Sequence, residues 1–380
     1  MSDPFAAIRP FNDDEVRPAI DGLLASQDFL EALMRLRLGP AAASFSWLLG
    51  PLVRGYLRRQ LRNVASVGDL QALIETYIAR MIDETTAGLS VSGLEALDAS
   101  QAYLFISNHR DITLDPAFTN FSLYRAGHRT LRIAIGDNLL TEKWVADLMR
   151  LNKSFIVQRS ARGPRELLAA SRLLSQYIRQ SVQQDNEPVW IAQREGRAKN
   201  GVDRTERAIV KMLSLSRDRQ SEDFGEHIAS LRIVPVAISY ELDPCDALKA
   251  RELAALAEMG RYEKADREDV NSIGQGISGS KGRVHLAFGS PLGSGHDSPE
   301  SVAAAIDDQI LRQYRLHPTN LWAYRTLHGD PPPTIEIHPG SCSEAAFRAR
   351  IDAMPESDRP FALASYANSL CSVVETTARP

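Results

Sequence analysis

From about residue 100 to residue 290 the chain alternates short apolar runs with longer stretches of helical periodicity. The apolar runs are Tyr103–Ser107, Leu131–Ile135, Ser154–Val157, Pro188–Ala192, Arg232–Tyr240 and Gly282–Phe288. Between them lie helical patterns at Pro116–Arg125, Glu142–Leu151, Pro164–Gln183, Asp203–Leu215 and Asp246–Met259. Strands joined by helical crossovers of roughly 10–20 residues pair in parallel, because the crossover returns each strand to the same end of the sheet. The pattern predicts an α/β fold with a mostly parallel central sheet and flanking helices. Ser272–Lys281, reading SIGQGISGSK, is rich in Gly and Ser and predicts a flexible loop before the last strand.

The flanks differ. The first 90 residues lack alternating β-branched runs. Apolar positions recur at helical spacing from Arg17 to Leu38, with Pro18 suited to the first turn, and again from Asp69 to Met81. Beyond residue 297 the chain turns helical again, with a Pro-rich connector at Asp330–Gly340 and a helical tail over Ser343–Thr376. The expected division is an N-terminal helical region at 1–90, an α/β domain at 91–297 and a C-terminal, mainly helical extension at 298–380.

With 44 basic and 48 acidic residues in 380, no basic excess points to nucleic acid. Three scattered cysteines cannot staple a chain of this length, which favours a reducing compartment. The N-terminus lacks the basic and apolar regions of a secretory leader. The uncharged stretch Leu38–Val53 is shorter than a membrane span and is interrupted by two prolines and two glycines. It reads either as a buried helical hairpin or as an interfacial anchor. In the second case Trp47, Leu48 and Leu49 would enter the bilayer surface, with Arg35, Arg37, Arg54, Arg58 and Arg59 at headgroup level.

In parallel sheets, reactive residues sit in the loops after the carboxyl ends of strands. The loop after the first predicted strand, Ser107–Phe118, holds His109, Arg110, Asp111 and Asp115. A carboxylate that orients an imidazole leaves the other ring nitrogen to take a proton from a substrate hydroxyl. Asp115 precedes Pro116 and also reads as a helix cap. In a regular helix, positions six apart lie about 240° apart. His109 therefore meets Asp115 only if the chain folds back over the helix start, and Asp111 competes for the role.

The loop after Pro188–Ala192 places Arg194, Glu195, Arg197 and Lys199 around Gly196 and Gly201. Glycines let backbone approach a ligand and arginines grip phosphate with forked hydrogen bonds. From Arg150 to Lys211 there are thirteen Lys/Arg against six Asp/Glu, which suggests an anionic ligand. The tripeptides His109-Arg110-Asp111 and Asp223-Phe224-Gly225 spell protein-kinase words. The Asn that should follow the first is replaced by Pro116, and no Gly-rich strand loop precedes it.

Together, in this order, the motifs resemble the glycerol-phosphate acyltransferase superfamily, which includes glycerol-3-phosphate and 1-acylglycerol-3-phosphate acyltransferases. His109 and Asp115-Pro116 match the His…Asp motif with five residues between instead of four. Arg159 matches a second motif, with Gln158 in place of its acid. Glu195-Gly196-Arg197, followed by Lys199-Asn200-Gly201, matches a third, one residue short. Val234-Pro235-Val236 fits the fourth, and Ser239-Tyr240-Glu241 resembles the glycerol-3-phosphate branch.

The resemblance implies acyl transfer in phospholipid biosynthesis. His109 and Asp115 would be catalytic, and Arg159, Glu195, Gly196, Arg197 and Lys199 would bind the phosphorylated glycerol acceptor. It implies an acyl thioester donor, acyl-CoA or acyl carrier protein, as co-substrate and no cofactor or metal. It places the protein in the cytoplasm, peripherally on the inner face of the membrane. A lysophospholipid acceptor, or a catalytically degenerate membrane-docking relative, is the alternative.

Overall fold

The computed structural model describes residues 3–39, 46–140, 142–265 and 268–377. They form two compact units, one of residues 1–77 with 131–177 and the other of residues 78–130 with 178–380. Among the described residues there are seven strands: β1 (Leu89–Ser92), β2 (Leu104–Ser107), β3 (Arg132–Gly136), β4 (Ser154–Val157), β5 (Val189–Ala192), β6 (Ile233–Tyr240) and β7 (Val284–Phe288).

In the first unit β3 and β4 pair in parallel. Its helices bury Val16, Ile20, Leu23, Leu24, Leu70 and Leu151 in one cluster. The first helix is Asp13–Ala25, starting four residues before the expected Arg17, so Pro18 lies inside it. The earlier start follows from the acidic first turn and from the Asn12 N–H, which donates to Glu15 Oε2 at 2.8 Å. Residues 40–45, and the side chains of Trp47 and Leu48 on which the anchor reading leaned, lie outside what is described. Further along that helix, Ser46–Gln60, Leu52 and Tyr56 are 69% and 57% exposed.

The second unit holds five strands in the order β1-β7-β6-β2-β5. All pairs are parallel except β6 with β7. β2 and β6 are buried along their whole length. Strands covered on both faces read as continuous apolar runs, which is why the sequence shows them. β1 does not stand out, because its four residues, LSVS, form a half-exposed edge. Of the stretch Ser272–Lys281 expected to be a flexible loop, residues 272–278 are instead part of a helix, Glu268–Ser278. Gly276 lets this helix approach the loop after β2: a Cβ there would stand 2.6 Å from Asp111 Oδ2. The C-terminal helices Glu344–Asp352 and Arg359–Thr377 share a core with Leu242, Ala250 and Ala323 of the same unit. Because β2, β5 and β6 run in parallel, the loops after them leave from one edge.

Candidate active site

The loop after β2 is pinned at both ends. Asn108, fully buried, uses its side-chain amide as a further rung of the ladder with β6. Its Oδ1 accepts from Ile238 N–H at 2.7 Å and its Nδ2 donates to the Ile238 carbonyl at 2.9 Å. At the other end Asp111 Oδ1 accepts the N–H groups of Thr113 and Leu114, both at 2.9 Å. These amides are at the start of the helix Leu114–Arg125, so Asp111 supplies the cap that local sequence suggested for Asp115. Burial, and then the charge of Asp115, push the Asp111 carboxyl above its ordinary range.

Asp115 is thereby free to face back along the chain. Its Oδ2 accepts from His109 Nδ1 at 2.8 Å and from the backbone N–H groups of Arg110 at 2.6 Å and Asp111 at 2.9 Å. The chain does fold back over the helix start, and the five-residue spacing is accommodated by the Asp111 turn. The Asp115 side chain is fully buried and that of His109 is 13% exposed. The Trp190 ring of β5 meets the imidazole edge-on at 5.8 Å between centroids. With Nδ1 committed to the carboxylate, Nε2 is the nitrogen left for a substrate proton.

The loop after β5 joins this one directly, since Ala198 N–H donates to the His109 carbonyl at 2.8 Å. Of the residues expected to bind phosphate, Glu195 and Gly196 are exposed, and Gly196 adopts φ 69°. Arg197 Nη1 donates to Ser272 Oγ at 2.7 Å. Lys199 is paired with Glu252. Arg159 belongs to the other unit, in an exposed turn after β4, where its N–H donates to Asp137 Oδ1 at 3.1 Å. The structure thus brings His109, Asp115 and the Glu195–Lys199 loop together in one unit.

For several further residues the motifs do not give the contacts that the structure shows. Tyr240, last in β6, donates its hydroxyl to Asp115 Oδ1 at 2.8 Å. Arg110 Nη2 donates to Asp203 Oδ2 at 2.6 Å, to the Gly201 carbonyl at 3.1 Å and to Ser369 Oγ at 3.1 Å. The negative field of Asp203 keeps this buried guanidinium firmly charged, raising its pKa despite burial. Glu241, likened above to a branch signature, is fully buried and accepts from the N–H groups of Arg283, Ser341 and Cys342. Burial works against its charge, but these donors outweigh it and hold the carboxyl below its usual range. Its work is to fasten the segment after the Pro-rich connector to the sheet. Among the described residues, no group of three or more His, Cys, Asp or Glu side chains is placed to hold a metal ion.

A histidine–carboxylate pair at the carboxyl edge of parallel strands, with a basic glycine-containing loop tied to it, has the chemistry to take up and return a proton. Residues 88–239 match the Acyltransferase family, so the chain carries an acyltransferase-family domain, as its resemblance to the glycerol-phosphate acyltransferases implied. No curated protein matches the chain significantly.

Proposed function

We propose that this protein moves a fatty acyl group from an acyl thioester, carried by CoA or acyl carrier protein, to a hydroxyl of glycerol-3-phosphate in phospholipid biosynthesis. The observation that carries this reading is the His109–Asp115 bond, set inside an acyltransferase domain. His109 Nε2 takes the proton of the acceptor hydroxyl, and the oxygen attacks the thioester carbonyl. The tetrahedral adduct collapses with cleavage of the C–S bond, and the leaving thiolate takes the proton back from the imidazolium. Asp115 stabilises the imidazolium between these steps. Arg197, with Glu195 and Gly196 beside it, would meet the acceptor phosphate. No cofactor or metal enters this scheme.

A lipid product calls for a bilayer nearby. No described helix is long and apolar enough to cross a membrane. We place the enzyme in the cytoplasm, on the inner face of the membrane. Leu52 and Tyr56, four apart on one helix face and exposed, are offered to the lipid, and Arg58 and Arg59 in the last turn to anionic headgroups. A thiol-release assay with acyl-CoA and acyl carrier protein donors, run against glycerol-3-phosphate, lysophosphatidate and free glycerol, tests the reaction. Turnover with glycerol-3-phosphate is expected. Turnover with lysophosphatidate alone would move the acceptor to the lysophospholipid, and none with any acceptor would remove the reading.

A further inference from the structure

The two oxygens of Asp115 are treated differently. Oδ2 is shared by three donors, His109 Nδ1 and two backbone amides. Oδ1 receives the phenol of Tyr240 at 2.8 Å. The torsion that swings an aspartate's carboxylate about Cβ–Cγ is soft, so contacts on a single oxygen leave its plane poorly fixed. A donor on the second oxygen closes that freedom.

The phenol is itself well held. Tyr240 ends the fully buried strand β6 and is 5% exposed. Its ring lies 6.0 Å from that of Phe118, on the same helix that carries Asp115. Burial, reinforced by the charges of Asp115 and Asp111, pushes its ionisation well above the ordinary range, so it remains a donor at any working pH. Tyr240 also lies one residue beyond the stretch that matches the acyltransferase family.

We infer that Tyr240 is a positioning residue: by fixing the plane of the Asp115 carboxylate it holds the proton of His109 on Nδ1 and keeps Nε2 bare toward the substrate. The catalytic consequence rests on the acyl-transfer reading, whereas the effect on the imidazole does not.

The test is Tyr240→Phe in the full-length protein, which keeps the ring and removes only the hydroxyl. With 15N-labelled histidine, NMR reports which ring nitrogen of His109 carries the proton, and a His109→Gln variant assigns the signals. The Nδ1–H form should dominate in the parent and lose population in Tyr240→Phe. In the thiol-release assay kcat should fall about 5- to 150-fold, the range for leaving one buried acceptor unpaired, with KM changed far less. The acid limb of the kcat/KM profile should also move. A double-mutant cycle with Asp115→Asn covers the case in which Tyr240→Phe is poorly stable. If Tyr240 acts through Asp115, its removal costs little once Asp115 is changed.

A fall in kcat with unaltered imidazole signals, persisting in the Asp115→Asn background, would make Tyr240 a packing residue and overturn the inference. Unchanged kcat together with unchanged signals would do the same. Should the parent turn over no acceptor at all, acyl transfer fails as a reading while the NMR comparison still decides the role of Tyr240.

Discussion

His109 stands in the loop after β2 with its side chain 13% exposed, so its removal separates chemistry from folding. His109→Ala should lower kcat by roughly 10²- to 10⁴-fold, the usual worth of a general base, with a melting temperature close to that of the parent. Asp115 and Asp111 part ways under substitution. Asp115→Asn keeps the shape but offers a poorer acceptor to His109 Nδ1, and most activity should go. Asp111→Asn retains a good capping side chain and should be mild, whereas Asp111→Ala should cost about 1 kcal/mol of stability through the lost cap, read from urea melts. Activity that survives Asp115→Asn but not Asp111→Asn would reverse the assignment. The pairing of His109 with Asp115 could be argued from sequence, because both residues sit in one short loop. Tyr240 could not, since 125 residues separate it from Asp115 and only the pairing of β6 with β2 brings them together. The cap was misplaced for a related reason. Asp-Pro at a helix start looks like a cap, and nothing local shows that another carboxylate four residues earlier has taken the amides.

At the level of elements, the helix Glu268–Ser278 carries the clearest lesson. Its glycines and serines predict a loop, yet Gly276 serves close packing against Asp111 and Ser272 receives Arg197. A low-propensity sequence is tolerated there because tertiary contact outweighs intrinsic preference. Gly276→Ala should therefore act on the site from outside it. The new methyl meets Asp111 Oδ2, and a crowded contact of this kind costs about 1–3 kcal/mol. Thermal melts should show that loss, and kcat should fall with it as the turn holding Asp115 shifts. The same change in an Asp111→Ala background serves as control, and an undiminished loss there would mean that the approach to Asp111 does not govern. Arg197 holds Ser272, and in the proposed reaction it meets the acceptor phosphate. Arg197→Ala should lower kcat/KM for a phosphorylated acceptor about 10- to 150-fold, the worth of one charge-assisted hydrogen bond, and spare free glycerol. Equal losses on both acceptors would assign the residue to the donor or to the fold.

For the larger unit as a whole, two buried histidines set a limit on acid stability. His285 sits between Ser90 Oγ and Ser92 Oγ at 2.8 and 3.0 Å, and both ring nitrogens of His317 are buried without a hydrogen-bond partner. Burial, helped for His285 by Arg315, brings each down to about 4 from an ordinary 6.5. Between those values the unfolded chain binds protons that the folded chain refuses, so their contribution is whole above about 6.5 and is lost as the pH falls toward 4. Urea midpoints should drop steadily from pH 7 to pH 4.5, and His317→Leu should flatten the slope. A flat profile in the parent would show that these histidines titrate alike in both states. The membrane face makes a separate claim: Leu52→Ser with Tyr56→Ser should abolish flotation with anionic vesicles at low salt, and retained flotation would move the contact elsewhere. Finally, the contact between Arg110 and Ser369 spans 259 positions of the chain. The same helix also receives the neighbouring loop, where Gly201 lies so close that a Cβ would stand 2.0 Å from the Ser365 carbonyl, and Asn368 Nδ2 donates to the Asn200 carbonyl at 2.8 Å. Synthesis proceeds from the N-terminus, so a ribosome makes His109 about 250 residues before it delivers these supports. A nascent chain stalled between residues 241 and 359 would hold every motif of the acyltransferase domain and still lack the brace behind its histidine.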